Sequence, residues 1–187
     1  MKSIKFIVLS TLLLSAVASN GQTAKFVSSK THIKFYSHTT VEDIQANNYA
    51  SVSTIDPLTG DVAFSVPMQG FEFEKALMQK HYNSEKFLDT KQFPKAKLKG
   101  KITNLSEIDL SKDGTYNAIV EGELTIKGVT KPIKEKGTIT VKGNVVKAAS
   151  TFNVTLADYG IAFEKGKPST NIAKTVEVTV LVEYQPE

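Results

Sequence analysis

Apolar residues recur at every second position along most of this chain. The clearest run lies near the C-terminal end, where Val176, Val178, Val180, Val182 and Tyr184 alternate mainly with threonine and glutamate. Successive side chains of a β-strand point to opposite faces, so this period predicts a strand with one buried and one solvated face. The same alternation predicts further strands within residues 32–38, 61–68, 117–126 and 133–141.

Turn-forming residues separate the alternating runs. They occur at residues 56–60, 112–114, 127–128 and 142–144, and each of these segments contains a glycine. Short connections of this kind favour β-hairpins. The pattern therefore predicts an all-β antiparallel fold of about eight to ten strands, either a meander that closes on itself or a sandwich.

One segment departs from the two-residue period. Phe73, Leu77 and His81 are spaced as on one face of a helix, with Ala76 and Met78 beside them. We therefore predict one short helix at residues 74–83. This helix either only covers one end of the fold or gates access to it, and both alternatives stay open because an exposed end must be covered in either case.

The first residues have the order of a secretory signal peptide. Lys2 and Lys5 precede an apolar stretch that ends in small residues, which predicts a signal peptide at residues 1–21 with cleavage after Ala18 or Gly21. The stretch is shorter than the roughly 20 apolar residues of a membrane-spanning helix. We therefore expect a periplasmic or secreted protein, not a membrane-spanning one. Residues 22–187 form one domain by length, without cysteines to form disulfides.

Composition and motifs narrow the function. Once Lys2 and Lys5 are removed, 21 lysines stand against 19 acidic residues, and the chain has no arginine. Without a planar guanidinium to hold phosphate or guanine, nucleic-acid binding is not expected. His32 and His38 would lie roughly 20 Å apart on a strand, too far to share a metal ion. We also find no nucleophile motif, so we expect no catalytic residue, no metal, no cofactor and no enzymatic activity.

Residues 81–94, with the sequence His-Tyr-Asn-Ser-Glu-Lys-Phe-Leu-Asp-Thr-Lys-Gln-Phe-Pro, resemble the signature of the YceI-like, polyisoprenoid-binding family. Three further segments agree with it. Lys34-Phe35 with the Ser and His that follow resemble the family's first strand, residues 122–131 its strand-turn-strand motif, and residues 158–161 its late loop. The resemblance extends from about Lys25 to Tyr184.

The resemblance implies a closed, eight-stranded, antiparallel, lipocalin-like barrel in the periplasm. Its lumen would take the isoprenoid tail of a quinone, a polyprenyl lipid or a similar amphiphile. We predict that the following residues line the lumen: Ile33, Phe35, Val62, Phe64, Val66, Phe73, Leu77, Phe87, Val120, Leu124, Ile139, Phe152, Val178 and Val180. Near the motif, Lys80, His81, Asn83 and Lys91 are candidates for contacts with a head group, although His81 and Asn83 could instead cap the helix and fix the connection.

Alternation alone does not separate an open lumen from a filled core. The inward residues mix large side chains with small ones such as Ala118 and Gly122, which permits a slot, but any half-buried sheet shows this period. Three functions therefore stay open: a carrier of an isoprenoid-type lipid, a non-catalytic structural or interaction barrel with a filled core, and, less favoured, an isoprenoid-modifying enzyme. The oligomeric state is also open, a homodimer being one alternative.

Overall fold

The structure, a computed structural model, describes residues 25–161, 163–164, 167–168 and 171–187. The signal peptide predicted at residues 1–21 lies outside the described residues. The strands are β1 (Phe26–His38), β2 (Asp43–Asn48), β3 (Val52–Ile55), β4 (Asp61–Pro67), β5 (Phe71–Phe73), β6 (Lys95–Ile102), β7 (Gly114–Ile126), β8 (Val129–Lys142), β9 (Val145–Thr155), β10 (Phe163–Glu164), β11 (Lys167–Pro168) and β12 (Thr175–Pro186). The α-helix is α1 (Ala76–Asn83), and 3₁₀ turns lie at Met68–Gly70, Leu105–Glu107 and Leu156–Tyr159.

Eight antiparallel strands close into a barrel. Their order around the barrel is β1, β3, β4, β6, β7, β8, β9 and β12, and β12 pairs back with β1. The closing seam runs from Phe26 opposite Pro186 to Tyr36 opposite Glu177. Closure pairs the first and last strands of the barrel wall, so neither is left as an edge strand. The closed eight-stranded barrel with one short helix predicted from the sequence is thus confirmed.

Two strands of the barrel are interrupted. The start of β1 pairs with β3 at residues 26–27, whereas its second half pairs with β2 at residues 33–38. In the same way β4 pairs with β3, and β5 pairs with β2. The pair β2 and β3 therefore acts as one broken strand, and so does the pair β4 and β5. The barrel thus has fewer strands than the chain.

Asn48 joins the two interruptions. It is fully buried, and its side-chain N–H donates to the Pro67 carbonyl at 2.8 Å. Its Oδ1 accepts the Ala50 N–H at 3.0 Å and the Ser51 hydroxyl at 2.8 Å. Backbone that leaves a β-ladder inside the protein needs other partners for its polar groups. The Asn48 amide supplies them and so holds the two interruptions side by side.

The helix begins later than the spacing predicts. It runs from Ala76 to Asn83, while Phe73 lies in β5 opposite Ala46. The placement of Phe73 on the helix is therefore wrong, because Phe71 and Phe73 still follow the two-residue period of a strand. Within the described part of the chain, no helix is both long and apolar enough to cross a membrane.

The buried core is divided between the two ends of the barrel. Along β12, Val176 belongs to one cluster of buried residues and Val182 to the other. Ala96 and Ile102 divide in the same way along β6. Since the two clusters occupy opposite ends of the same strands, the middle of the barrel lies between them.

Candidate ligand-binding cavity

The barrel encloses a cavity of about 700 Å³, lined by residues of both core clusters and of all eight barrel strands. Small-molecule sites in proteins typically have volumes of about 300–1,000 Å³. Small eight-stranded barrels can be filled completely by their own side chains. This barrel is not, so the filled-core alternative loses its structural basis.

Small residues on the inward face help to leave this space. Gly137 pairs with Ala118 across β7 and β8, so no large side chain enters the lumen at that pair. Gly100 pairs with Gly122 across β6 and β7, and a Cβ on Gly122 would collide with the Lys99 carbonyl and the Cα of Gly100. Glycine at this pair permits the close approach of the two backbones.

The structure places thirteen of the fourteen residues predicted for the lumen in the cavity lining. They are Ile33, Phe35, Val62, Phe64, Val66, Phe73, Phe87, Val120, Leu124, Ile139, Phe152, Val178 and Val180. Most of them were identified because inward and outward residues alternate along a strand. Their contact with a ligand stays a prediction.

Leu77 is the exception, and its predicted position is wrong. Its side chain is 64% exposed and does not line the cavity. The residues of α1 that do line it are Met78, His81 and Tyr82. His81 and Tyr82 follow Met78 by three and four positions and so lie on the same side of the helix. The helix therefore turns Met78 and Tyr82 to the cavity, and not Leu77, which precedes Met78.

The four head-group candidates are not brought together at the cavity. His81 lines it, whereas Lys80, Asn83 and Lys91 do not. The Asn83 side chain instead donates to the Gln79 carbonyl at 3.0 Å and accepts the Thr90 hydroxyl at 2.9 Å. Asn83 thus fixes the connection that follows the helix, which is the structural alternative considered for it above.

Aromatic side chains form the wall near α1. The Tyr82 ring stacks on Phe35 with 5.9 Å between ring centroids, and it contacts Phe73 at 4.9 Å and Phe71 at 5.7 Å. Phe87 lies 6.4 Å away on the other side of the connection. Such tilted and stacked pairs add to the stabilisation that burial provides. This end of the cavity therefore has a rigid apolar wall.

Tyr82 is a residue that the sequence analysis missed. Its side chain is 6% exposed, and burial raises the pKa of its phenol well above the ordinary value of 10. Among the described residues its hydroxyl has no hydrogen-bond partner. The phenol therefore stays neutral in this apolar wall. Its helical spacing from Met78 was the signal that could have found it.

Glu135 is another cavity-lining residue that the sequence analysis missed. It lines the cavity on β8 between Ile133 and Gly137, and all three share the inward parity of that strand. Desolvation by burial raises the pKa of its carboxyl. The parity of residues 133–141 could have found it, because Glu135 falls on the same face as Ile139.

The pairing between β8 and β9 stops next to Glu135. β8 pairs with β9 only from Gly137 opposite Ser150 to Lys142 opposite Val145. At the end of this ladder the Ser150 hydroxyl donates to the Lys136 carbonyl at 2.7 Å. Glu135 therefore lies where the barrel wall is paired on the β7 side alone.

We expect Glu135→Leu to raise the free energy of unfolding at pH 7 by no more than about 1 kcal/mol, because it replaces with apolar surface a charge that is partly desolvated but still screened by solvent. A raised carboxyl pKa costs stability once the pH exceeds the unfolded-state pKa, near the ordinary value of 4.5, and the full cost is reached above the folded-state pKa. The gain in stability should therefore shrink as the pH falls below the folded-state pKa of Glu135. Urea denaturation at several pH values measures it.

Glu123→Leu is the matched control, because Glu123 is exposed on the outward face of the neighbouring strand β7. Its free energy of unfolding should stay within about 0.5 kcal/mol of the unmodified protein. An equal gain in both variants would show that added apolar surface, and not the buried charge, is responsible.

Two of the three histidines, His32 and His38, are engaged in local contacts. His32 hydrogen-bonds the Asn47 side chain at 2.9 Å, and His38 hydrogen-bonds Asp43 at 2.6 Å. The His38 contact lowers the pKa of the Asp43 carboxyl. Across the described residues, no group of three or more His, Asp or Glu side chains is placed to hold a metal ion.

Comparison with known proteins gives relatives along nearly the whole chain. UPF0312 proteins of Pseudomonas putida are 29% identical over 198 aligned positions, which cover 96% of this chain and 95% of theirs. The fold matches a polyisoprenoid binding domain from Saccharophagus degradans with a TM-score of 0.73 at 13% identity, over 89% of this chain and 100% of that domain. It also matches BcnA of Burkholderia cenocepacia with a TM-score of 0.67 at 14% identity, over 82% of this chain and 95% of BcnA.

The family comparison agrees with these similarities. The family model described as the YceI-like domain matches residues 18–184, which include every strand of the barrel except the last residues of β12. The resemblance found in residues 81–94, 122–131 and 158–161 is thereby confirmed. This chain belongs to the YceI-like family.

Proposed function

We propose that this protein binds an isoprenoid-type lipid or a similar amphiphile in the barrel cavity and carries it through the periplasm. The observation that carries the proposal is the 700 Å³ cavity with its predominantly apolar lining. Burial of apolar surface contributes about 25 cal/mol per Å². A long tail can therefore supply affinity without many specific hydrogen bonds, even after the cost of immobilising it.

The relatives support the same ligand class. The structure from Saccharophagus degradans is described as a polyisoprenoid binding domain. The periplasmic location rests on the signal peptide predicted at residues 1–21. A carrier role follows from combining these two points, since an exported protein with an apolar lumen can shield a lipid tail from water.

The cavity favours binding over catalysis. Three serines line it, and none of their hydroxyls is activated by a base in the described hydrogen bonds. Ser150 donates to the Lys136 carbonyl, Ser84 donates to the His81 carbonyl, and Ser37 accepts the Ala173 N–H. A serine nucleophile needs a neighbouring general base. We therefore propose a non-catalytic role, and analysis of products after incubation with the extracted lipid tests the alternative of an isoprenoid-modifying enzyme.

Native mass spectrometry of the exported protein, purified without detergent, tests the proposal. We expect an added mass that denaturation removes and that organic extraction recovers as an apolar molecule. The intact mass of the denatured chain also reports whether cleavage follows Ala18 or Gly21. A bare chain that also takes up no added geranylgeraniol would contradict the proposal.

A further inference from the structure

Glu135 places a carboxylate on the inward face of the cavity wall. It pairs with Val120 of β7, which also lines the cavity, and its neighbours of the same parity are Ile133 and Gly137. Its carboxyl is partly buried, and desolvation raises its pKa. A ligand that fills the cavity would remove more of its hydration, which is costly unless the ligand itself supplies a hydrogen-bond partner.

The described part of the chain supplies no such partner. No ion pair or hydrogen bond of the Glu135 carboxylate occurs among the described residues. Glu42, another carboxylate that lines the cavity, pairs with Lys75 at 3.2 Å. Lys134, next to Glu135 but on the outward face of β8, pairs with Glu121 at 2.7 Å. Three lysines, Lys86, Lys97 and Lys136, also line the cavity, but none of them forms an ion pair with Glu135. The oxygens of Glu135 can therefore accept hydrogen bonds from a bound molecule.

The position of Glu135 makes these oxygens accessible from the cavity. The ladder between β8 and β9 ends at Gly137 opposite Ser150, immediately before Glu135. The Ser150 hydroxyl is already used by the Lys136 carbonyl. A bound molecule can therefore reach the Glu135 carboxylate without displacing a backbone hydrogen bond of the barrel wall.

We propose that Glu135 accepts a hydrogen bond from a hydroxyl or ammonium group of the bound amphiphile, and that the cavity therefore selects isoprenoid-type alcohols or amines over molecules with the same tail and no hydrogen-bond donor. This inference rests on the proposed function and specifies its ligand class. Hydrogen bonds to a charged acceptor are stronger than those between neutral groups. A molecule with the same tail and no donor would leave the carboxylate without this hydrogen bond.

Paired probes with the same tail test the inference. Geranylgeraniol carries a hydroxyl donor, and its methyl ether carries none. The unmodified protein should bind the alcohol about tenfold more tightly than the ether. Glu135→Leu should reduce this ratio to about one, whereas Glu135→Gln, whose amide oxygen still accepts a hydrogen bond, should keep part of the preference. Competition against a fluorescent isoprenoid measures the affinity of each protein for the alcohol and for the ether.

Glu123→Leu is again the matched control, because Glu123 faces outward and does not line the cavity. Its ratio of alcohol to ether affinity should equal that of the unmodified protein.

The outcomes separate the two proposals. If both probes bind but Glu135→Leu leaves the ratio of alcohol to ether affinity unchanged, the assignment of Glu135 is overturned while the lipid-binding function stands. If the unmodified protein binds no isoprenoid probe, both proposals fail. Glu135→Leu is expected to fold, since the substitution removes an unfavourable charge, and thermal unfolding checks this before the affinities are compared.

Discussion

Val178→Asp is expected to abolish the co-purification of lipid. Val178 lines the cavity from β12 and is paired with Phe35 of β1 and Phe152 of β9, which line it too. A carboxylate at this position would have to lose its hydration when an apolar tail enters, at a cost of several kcal/mol. Affinity for an isoprenoid probe should fall by at least a hundredfold. Native mass spectrometry and probe titration measure the loss.

A charge inside the barrel could also destabilise the fold, so two further variants accompany it. Val178→Trp fills part of the cavity without adding a charge and should also expel the lipid. Leu181→Asp places the same charge on the opposite face of β12, where Leu181 is already 45% exposed, and should keep the lipid. Circular dichroism and cooperative melting establish which variants fold. Retention of the same lipid by folded Val178→Asp and Val178→Trp would refute binding in the cavity.

Asn48→Ala should lower the free energy of unfolding by about 3 kcal/mol. The substitution removes the side-chain hydrogen bonds to the Pro67 carbonyl, the Ala50 N–H and the Ser51 hydroxyl. Buried polar groups that lose their partners cost about 1–3 kcal/mol each when no water replaces them. Because these groups lie at both strand interruptions, pairing between β2 and β5 should weaken as well. Chemical denaturation measures the loss in stability.

Asn47→Ala is the matched control for Asn48→Ala. Asn47 is the preceding residue of β2, has the opposite parity, and makes a part-buried hydrogen bond to His32. Its removal should cost no more than about 1 kcal/mol. If the two variants lose equal stability, the Asn48 side chain does not join the strand interruptions as the hydrogen bonds indicate.

The strands and their inward faces are the part of the fold that the sequence pattern predicts best, whereas closure into an eight-stranded barrel was implied by the family resemblance. Parity along residues 176–184 and 117–126 identifies inward and outward faces directly, because the side-chain period of a strand does not depend on its partners. The interruptions in β2–β3 and β4–β5 were not predicted. Their local residues resemble ordinary strand ends, and only the partner strand shows that each pair continues one path along the barrel.

The candidate site was predicted less completely, and its errors have distinct causes. Leu77 was placed inward because its spacing from Phe73 fits a helix, yet Phe73 belongs to β5, so the two residues share no helical face. Tyr82 was missed through the same error in the helix face. Glu135 was missed although its parity was visible, because a charged residue on an apolar face is not expected to point inward.

Sequence alone determined the β-rich fold, the inward faces of most strands and the resemblance of residues 81–94 to the YceI-like family. Each of these depends on local alternation or on a short motif. Tertiary structure decided that the barrel interior holds an open cavity, that Asn48 joins two interrupted strands, and that Glu135 lies beyond the end of the β8–β9 ladder. These features depend on how residues far apart in the chain meet across the barrel. The volume left between opposing side chains is a property of the closed sheet, and no single segment encodes it.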